Sequence, residues 1–328
     1  MAEGYPLSSV NIRSCRDCTV PAEYGARFYK KGDRLSAPAR FSLCGHITAE
    51  RLIGMKYRIG VCEWSLPVMG PFGVTMAGKA GFTGIQLGDL NGAAAGFPMN
   101  RKCIQEGYLQ AAEEAGVALQ ALHPYGLQRQ GLMMALPGTA AWDDVRRSVS
   151  MCIEACADMH IPECMFSSFF SSWVNSDWEM ETFSRHLSYA CDVAEDKGVI
   201  VSYESALTVP KMYQMMELTG GRCKICYDMR NPLTIGCGYP KEDISALGLE
   251  NISHFHIKDG FGNMKEICLV GDGISDLAGQ AQLIKNLGYE GWLISENDYS
   301  QLASEKDCDF LELAAEDVKR IRKLFPEA

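Results

Sequence analysis

Beyond residue 55, short runs of β-branched and apolar residues alternate with longer segments in which apolar residues recur at helical spacing. This pattern predicts eight strands, each followed by a helix. The predicted strands cover residues 57–64, 84–90, 117–124, 163–169, 199–205, 223–229, 252–259 and 291–297. The predicted helices cover residues 67–79, 100–115, 140–158, 177–197, 209–219, 240–248, 275–287 and 304–324.

Glycines support several of the predicted helix ends. Gly116, Gly198 and Gly288 each follow a helical segment directly, where a left-handed backbone conformation favours glycine. Strands that alternate with helices predict parallel pairing through right-handed crossovers. We therefore predict an α/β fold, a (β/α)8 TIM barrel. An open doubly wound sheet is disfavoured because residues 62–65 (CEWS), after the first strand, lack a glycine-rich phosphate turn.

The first 55 residues differ from the rest. They are rich in Arg, Lys, Gly, Pro and Ser, and their only periodic segment predicts a short helix at 47–54. We predict an irregular N-terminal extension over residues 1–55 and a barrel domain over residues 56–328. Two interpretations stay open: an extension that packs on the barrel or on a partner, or a segment upstream of a natural start at Met55. One group in the extension is loosely compatible with structural zinc, namely Cys15, Cys18, Cys44 and His46.

Composition narrows the class of protein. The chain has 328 residues, of which 47% are hydrophobic and 22% charged, as in an ordinary globular protein. Its net charge of −10 disfavours a nucleic-acid-binding surface, which needs basic residues to neutralise phosphates. No apolar run is long enough to span a membrane, and 14 cysteines in so long a chain do not indicate a disulfide scaffold. We therefore expect a cytoplasmic enzyme that binds neither nucleic acid nor membrane.

Four consecutive predicted strands end in residues that can bind a metal. Glu204 ends strand five, Asp228 strand six, His256 lies on strand seven, and Glu296 ends strand eight. Reactive residues of a TIM barrel lie at the carboxyl ends of its strands. Three carboxylates placed together are costly without a cation, and with one imidazole they suit manganese, magnesium, cobalt or zinc. The sequence therefore predicts one divalent metal ion at this rim.

Several short motifs stand at or near the predicted strand ends. They are Tyr203-Glu204, Asp228 with Asn231, the HIKD segment at 256–259, the GDG loop at 271–273 and the GYEGW segment at 288–292 that leads to Glu296. On these motifs, the chain from Met55 to about Phe325 resembles the xylose-isomerase-like barrel superfamily of sugar-phosphate isomerases and epimerases.

The resemblance implies a mechanism. In epimerases of this kind the glutamates after strands five and eight bind the metal and also act as a paired acid and base, which corresponds to Glu204 and Glu296. One would remove a proton from the carbon beside a ketose carbonyl, and the other would return a proton to the opposite face of a metal-stabilised enediolate. Asp228 and His256 would act mainly as ligands, and Mn2+ is the expected ion.

Five further rim residues are candidates for contact with a substrate. His123 follows strand three, where family members often place a catalytic or substrate-binding histidine, and a structural histidine is the alternative. Trp64 is placed to stack on a sugar or to pack in the core. Lys258 is placed to contact a substrate oxygen or to form a surface ion pair. Arg230 is a candidate for a phosphate or carboxylate, and Asn231 stands where some relatives carry histidine.

These observations favour a sugar or sugar-phosphate isomerase or epimerase with a small carbohydrate substrate, expected to be a homo-oligomer. The first alternative is a dehydratase or lyase acting on a 3-keto sugar or 3-keto C-glycoside, which an obligate second subunit would favour. An abasic-site endonuclease shares the barrel but is disfavoured by the acidic charge and by a total of six histidines. A non-catalytic barrel is disfavoured because the four candidate ligands are all present.

Overall fold

The structure is a computed structural model, and it describes residues 55–326. Eight parallel strands close into a barrel in which each strand pairs with the next along the chain and β8 pairs with β1. This arrangement confirms the predicted TIM barrel. The strands are β1 (Tyr57–Cys62), β2 (Gly84–Gly88), β3 (Ala118–His123), β4 (Glu163–Ser167), β5 (Ile200–Glu204), β6 (Cys223–Asp228), β7 (Ile252–Ile257) and β8 (Gly291–Ser295).

Helices follow the strands on the outside of the barrel. The main helices are α1 (Pro71–Ala80), α2 (Lys102–Ala115), α3 (Ala140–Asp158), α4 (Asp177–Glu195), α5 (Val209–Leu218), α6 (Pro240–Leu247), α7 (Leu277–Asn286) and α8 (Phe310–Leu324). Shorter α-helices cover Tyr125–Arg129, Asn231–Ile235 and Tyr299–Lys306. Single 3-10 turns cover Glu63–Ser65, Gly92–Ala95, Pro98–Asn100, Leu132–Met134, Phe170–Ser172 and Leu249–Asn251.

The barrel strands are buried almost throughout because side chains face either the barrel interior or the surrounding helices. Glycine permits the closest approach between strands. A Cβ atom at Gly84 on β2 would collide with the ring of Trp292 on β8, and one at Gly60 on β1 would collide with Ile294. The absence of a side chain at Gly84 therefore makes room for the Trp292 ring, and the absence of one at Gly60 makes room for Ile294.

The structure differs from the prediction at its last helix. Residues 304–324 were predicted as one helix, but Tyr299–Lys306 and α8 are separate. Asp307 adopts a left-handed conformation, with φ of 48°, and Asp309 begins α8 by accepting a hydrogen bond from the Leu311 amide. Aspartate tolerates the left-handed region and favours helix starts, so this local chemistry overrides the apolar periodicity.

Several sequence predictions concern residues that the structure does not describe. The extension at 1–55 (except for Met55), its helix at 47–54 and the zinc group of Cys15, Cys18, Cys44 and His46 fall in this part. Over residues 55–326, no helix is both long and apolar enough to cross a membrane. The cysteines within that range are all free thiols, in agreement with the predicted absence of a disulfide scaffold.

Candidate metal centre and active site

The four predicted ligands meet at the carboxyl ends of β5 to β8. One ligand atom from each of Glu204, Asp228, His256 and Glu296 lies within 4.8 Å of the others. The first three side chains are buried, and Glu296 is slightly accessible, with 15% of its side chain exposed. Rigid parallel strands fix these positions, so the carboxylates and the imidazole form one cluster, of which Glu296 is the most exposed member.

The local sequence after β6 orients Asp228. Its Oδ1 accepts hydrogen bonds of 2.7 Å from the backbone amides of both Arg230 and Asn231. Its Oδ2 has no hydrogen-bond partner within the described residues and faces the cluster, where Lys258 Nζ lies 2.8 Å away. The turn at 228–231 therefore binds one carboxylate oxygen and directs the other toward the cluster, where it pairs with Lys258.

His256 presents one ring nitrogen to the carboxylates. Its Nε2 lies 2.8 Å from Gln86 Oε1, an oxygen that can only accept, so Nε2 carries the hydrogen. Its Nδ1 lies 3.6 Å from Glu204 Oε1 and 3.4 Å from Glu296 Oε2, with no hydrogen-bond partner in the described part of the chain. A metal-binding histidine typically donates its other N–H to an oxygen in this way.

Lys258 supplies a positive charge inside the cluster. Its Nζ lies 2.8 Å from Asp228 Oδ2 and 2.5 Å from Glu296 Oε2. Although burial favours the neutral amine, the pKa of Lys258 is raised by Asp228 and Glu296. With all three carboxylates ionised and His256 neutral, the cluster with its one ammonium would carry two negative charges, which a divalent cation would balance. The donor set and this charge therefore fit such an ion.

The two glutamates experience different environments. Burial and the nearby charge of Glu296 raise the pKa of Glu204. Burial acts on Glu296 in the same direction, but the adjacent Lys258 and His256 hold its pKa well below the usual range. Carboxylates with divergent proton affinities can divide the roles of acid and base.

Two other groups of potential ligands share His256. One adds Cys62 and Glu296, and the other adds Cys226 and His254. A cysteine binds a metal as the thiolate. Burial raises the pKa of Cys62 to about 12 and that of Cys226 well above its usual value, so forming either thiolate has an added cost. The oxygen-rich group is the better cation site.

A group of aromatic rings lies next to Glu296. Trp64 Nε1 donates a 3.0 Å hydrogen bond to Glu296 Oε1. The Trp64 ring stacks on Tyr125, with centroids 5.9 Å apart, and meets the edge of His123 at 5.3 Å. The guanidinium of Arg129 lies over Tyr125, at 4.8 Å from the ring centroid. The structure thus places Trp64 directly against a predicted metal ligand.

His123 is neutral in this setting. It lies inside the barrel, and its Nδ1–H donates to Met165 O at 2.8 Å. Burial lowers the pKa of His123 to about 4. Its Nε2 is therefore an acceptor, and Ser167 Oγ lies 3.3 Å from it.

The remaining candidates lie at different distances from the ligands. Asn231 Nδ2 lies 3.3 Å from Glu204 Oε1, so Asn231 belongs to the cluster. The Arg230 guanidinium is directed elsewhere: it is fully buried and donates to the carbonyls of Asn263 and Glu266, at 2.6 and 3.0 Å. Arg230 thus anchors the loop after β7, and the structure does not bring its charge to the pocket.

The GDG loop at 271–273 is held in place by hydrogen bonds to Asp259. Asp259 Oδ2 accepts hydrogen bonds from the amides of Gly271 and Gly273, at 3.0 and 3.1 Å, and its Oδ1 accepts one from Ser275. A Cβ atom at residue 273 would collide with this carboxylate. The aspartate of the HIKD motif therefore holds the loop that follows β7, while Lys258 faces the metal ligands.

Sequence reasoning missed the neutral residues that support the site. Gln86 contacts His256 directly, and Tyr125 forms part of the aromatic wall. A signal for the first was present in the sequence. Gln86 and Gln120 are amides inside otherwise apolar strands, and a buried amide needs hydrogen-bond partners.

Comparison with known proteins bears on the enzyme class. The protein 2-epi-5-epi-valiolone 7-phosphate 2-epimerase from an Actinoplanes species is 27% identical over 208 residues, which cover 63% of this chain and 74% of that protein. The predicted class, an isomerase or epimerase, agrees with the activity in the name of this relative.

Solved structures share the barrel. D-psicose 3-epimerase from Clostridium cellulolyticum H10 gives a TM-score of 0.63 at 13% identity, covering 81% of this chain and 99% of that one. D-allulose 3-epimerase from Methylomonas sp. gives 0.62 at 14% identity, covering 83% and 99%. A xylose isomerase domain protein from Planctomyces limnophilus gives 0.64 at 16% identity, covering 83% and 100%. At these identities the likeness establishes the fold.

One family model matches most of the barrel. Its description is the xylose isomerase-like TIM barrel, and it matches residues 74–324, which span α1 to α8. The matched range contains the four clustered ligands and the loop that Asp259 holds. The chain belongs to the xylose isomerase-like TIM barrel family.

Proposed function

We propose that this protein is a metal-dependent isomerase or epimerase of a sugar or sugar phosphate, working by proton transfer beside a carbonyl group. The observation that carries the proposal is the pair of glutamates, Glu204 and Glu296, that face the same nitrogen of His256. The epimerases among the similar proteins support the same class of reaction.

The cofactor in this proposal is one divalent ion, with Mn2+ as the first choice. Glu204, Asp228, His256 and Glu296 would hold it, and an oxygen-rich set of this kind also suits Mg2+, Co2+ or Zn2+. When bound, the ion supplies Lewis acidity to a ketose carbonyl and its neighbouring hydroxyl.

The two glutamates would move the protons. One carboxylate takes the proton from the carbon that bears the hydroxyl, leaving an enediolate, and the other returns a proton to the opposite face. Trp64 would help to orient Glu296 through its indole N–H, as the 3.0 Å contact indicates. The Lys258 ammonium, which lies between Asp228 and Glu296, would donate a hydrogen bond to a substrate oxygen.

Other predicted residues would bind the substrate. The stacked Trp64 and Tyr125 offer a flat apolar surface of the kind that packs against a sugar ring. Neutral His123 and Asn231 lie beside the ligands and would contact hydroxyl groups, whereas Arg230 would act only through the loop it anchors. A cytoplasmic homo-oligomer remains our expectation, which localisation and light scattering would test.

The test is hydrogen exchange in deuterated water. The Mn2+-loaded protein is incubated with a panel of ketoses and ketose phosphates, and deuterium at the carbon beside the carbonyl is followed by NMR. We expect one substrate class to exchange and epimerise. Glu204→Gln should abolish exchange while keeping the fold.

The matched control is Asp298→Asn. Asp298 lies two residues after Glu296, but it caps the helix Tyr299–Lys306 by accepting from the Gln301 amide. Asparagine caps helices equally well, so this variant should exchange at the wild-type rate. If Glu204→Gln exchanges as fast as the control, the assignment of Glu204 is wrong. If an elimination product forms, the enzyme is a lyase.

A further inference from the structure

A second polar layer lies inside the barrel, beneath the metal ligands. It consists of Gln86 on β2, Gln120 on β3, Glu163 on β4 and His254 on β7, all buried. Burying polar groups is unfavourable unless they bind one another. These four side chains are within hydrogen-bond distance of each other in a ring, and one of them also reaches His256.

The carboxylate of Glu163 fixes the first hydrogen bonds of this layer. Gln120 Nε2 lies 2.9 Å from Glu163 Oε2, and an ionised carboxylate can only accept, so the nitrogen of the Gln120 amide faces Glu163. The oxygen of that amide then faces Gln86, whose Nε2 donates to it at 2.8 Å. The orientation of one amide therefore determines that of the next.

The position of His254 is consistent with this orientation of the Gln86 amide. Its Nε2 lies 2.7 Å from Gln86 Nε2, and since the amide nitrogen donates, the ring nitrogen must accept. The hydrogen of His254 is then on Nδ1, which lies 3.0 Å from Glu163 Oε1 and 3.0 Å from Ser253 Oγ. Ser253 donates its own hydrogen to Ile225 O, so its oxygen is available as an acceptor. The contacts through Gln120 and those through His254 therefore require the same orientation of the Gln86 amide.

The layer ends at the metal ligand His256. With its nitrogen held by Gln120 and His254, Gln86 turns its oxygen toward His256 Nε2, at 2.8 Å. That oxygen requires a hydrogen on Nε2, so Nδ1, which faces Glu204 and Glu296, is the nitrogen that a cation can bind when the ring is neutral. If Gln86 were reversed, its N–H would meet Nε2, and the hydrogen of a neutral His256 would move to Nδ1, where it would block a cation.

We propose that Glu163 is a positioning residue that sets the metal-binding tautomer of His256 through Gln120, His254 and Gln86. This inference rests on the proposed metal site. Glu163 itself is not among the residues grouped around the cation position. A carboxylate at position 163 can only accept hydrogen bonds, so it fixes the orientation of the Gln120 and Gln86 amides. An amide at that position would allow these two amides to stand as they do or reversed.

Substitution of Glu163 by its isosteric amide tests the idea. Glu163→Gln keeps the shape but can donate as well as accept, so both orientations of Gln86 become available. We expect Mn2+ affinity, measured by calorimetry, to fall about 10- to 100-fold, as for other residues that support metal ligands. The control is Asp89→Asn, a buried carboxylate that binds the backbone amides of Asn91 and Gly126 and should leave the affinity unchanged.

A double-mutant cycle tests the route. Gln86→Leu removes the hydrogen bond that joins the layer to His256, so Glu163→Gln should have little further effect on Mn2+ affinity in that background. Equal effects of Glu163→Gln with and without Gln86 would overturn the proposal, because they would indicate a general loss of structure.

Histidine NMR on the metal-free wild type tests the orientation of the layer without a metal. The chain has six histidines, so 15N-histidine labelling gives a simple spectrum, and His254→Gln assigns the signal. We expect His254 to be the Nδ1–H tautomer, and Glu163→Gln to mix it with the Nε2–H form. An Nε2–H tautomer in the wild type would overturn the proposal. If the wild type binds no Mn2+ but His254 is Nδ1–H, the proposed function fails while the orientation of the layer stands.

Discussion

The two sides of the barrel mouth differ in what their polar atoms do. On the acidic side, formed by the ends of β5 to β8, Asp228 Oδ2 and His256 Nδ1 face the same cluster of carboxylates, and among the described residues the one cation near them is the Lys258 ammonium. On the aromatic side, formed by the ends of β1 to β4, His123 and Trp64 are hydrogen-bonded to the protein. The acidic side offers the donor set that the proposed cation needs, and the aromatic side lies next to it through the Trp64–Glu296 hydrogen bond.

Removing one ligand should have the largest effect. In Asp228→Asn the amide oxygen can still accept from the Arg230 and Asn231 amides, but an NH2 group replaces the Oδ2 that faces the cluster. We expect Mn2+ binding to weaken at least about 100-fold, with little change in the fold, because one charged ligand is lost. Calorimetry and circular dichroism measure the two properties, and unchanged affinity would remove Asp228 from the site.

Replacing the internal ammonium should change stability in a metal-dependent way. In Lys258→Met the carboxylates of Asp228 and Glu296 lose their partner inside the cluster. Breaking a buried ion pair costs roughly 3–5 kcal/mol, so we expect the metal-free protein to unfold at much lower temperature. Mn2+ should restore much of this loss by supplying positive charge. Thermal unfolding of wild type and Lys258→Met with and without Mn2+ checks this. An equal drop in unfolding temperature under both conditions would contradict the charge balance.

The link between the two sides is the Trp64 indole. Trp64→Phe keeps an aromatic ring beside Tyr125 but removes the donor to Glu296 Oε1. A hydrogen bond to a charged group contributes about 1.5–3 kcal/mol, which predicts a fall in turnover of roughly 10- to 100-fold. Mn2+ affinity should change less than turnover. Steady-state kinetics on the exchanging substrate provide the measurement, and wild-type turnover would show that this contact is dispensable.

The neutral histidine of the aromatic side should affect stability at acidic pH. Its folded pKa of about 4 lies below the unfolded value of 6.5, so between these values the unfolded state binds more protons. Stability should therefore fall as the pH falls from 6.5 toward 4, and His123 should contribute about 2 kcal/mol of the loss by pH 5. Urea unfolding of wild type and His123→Gln from pH 7 to 4.5 measures this, and parallel curves would contradict it.

The acidic side and the strands were predictable from sequence because each has a local signal. Apolar runs separated by helical periods mark the strands, and Glu204, Asp228, His256 and Glu296 stand at their ends. The break before α8 was missed because an aspartate in a left-handed conformation leaves the apolar periodicity intact. The sequence shows which side chains are charged, but it does not show where each side chain points.

The direction of Arg230 illustrates that limit. As an arginine beside the metal ligands it was a candidate for an anionic group of the substrate, yet its partners are carbonyls of the 263–266 loop, more than 30 residues away in sequence. The Gln86 to His256 contact likewise joins residues 170 positions apart. Such pairings depend on how strands pack around the barrel, and no local pattern encodes them.

The most direct test of the account is a crystal structure of the Mn2+-soaked protein with anomalous data at the manganese edge. We expect one anomalous peak bound by Glu204, Asp228, His256 Nδ1 and Glu296, at a stoichiometry of one ion per chain. A peak at the Cys62 or Cys226 groups, or no peak within reach of these four side chains, would contradict it.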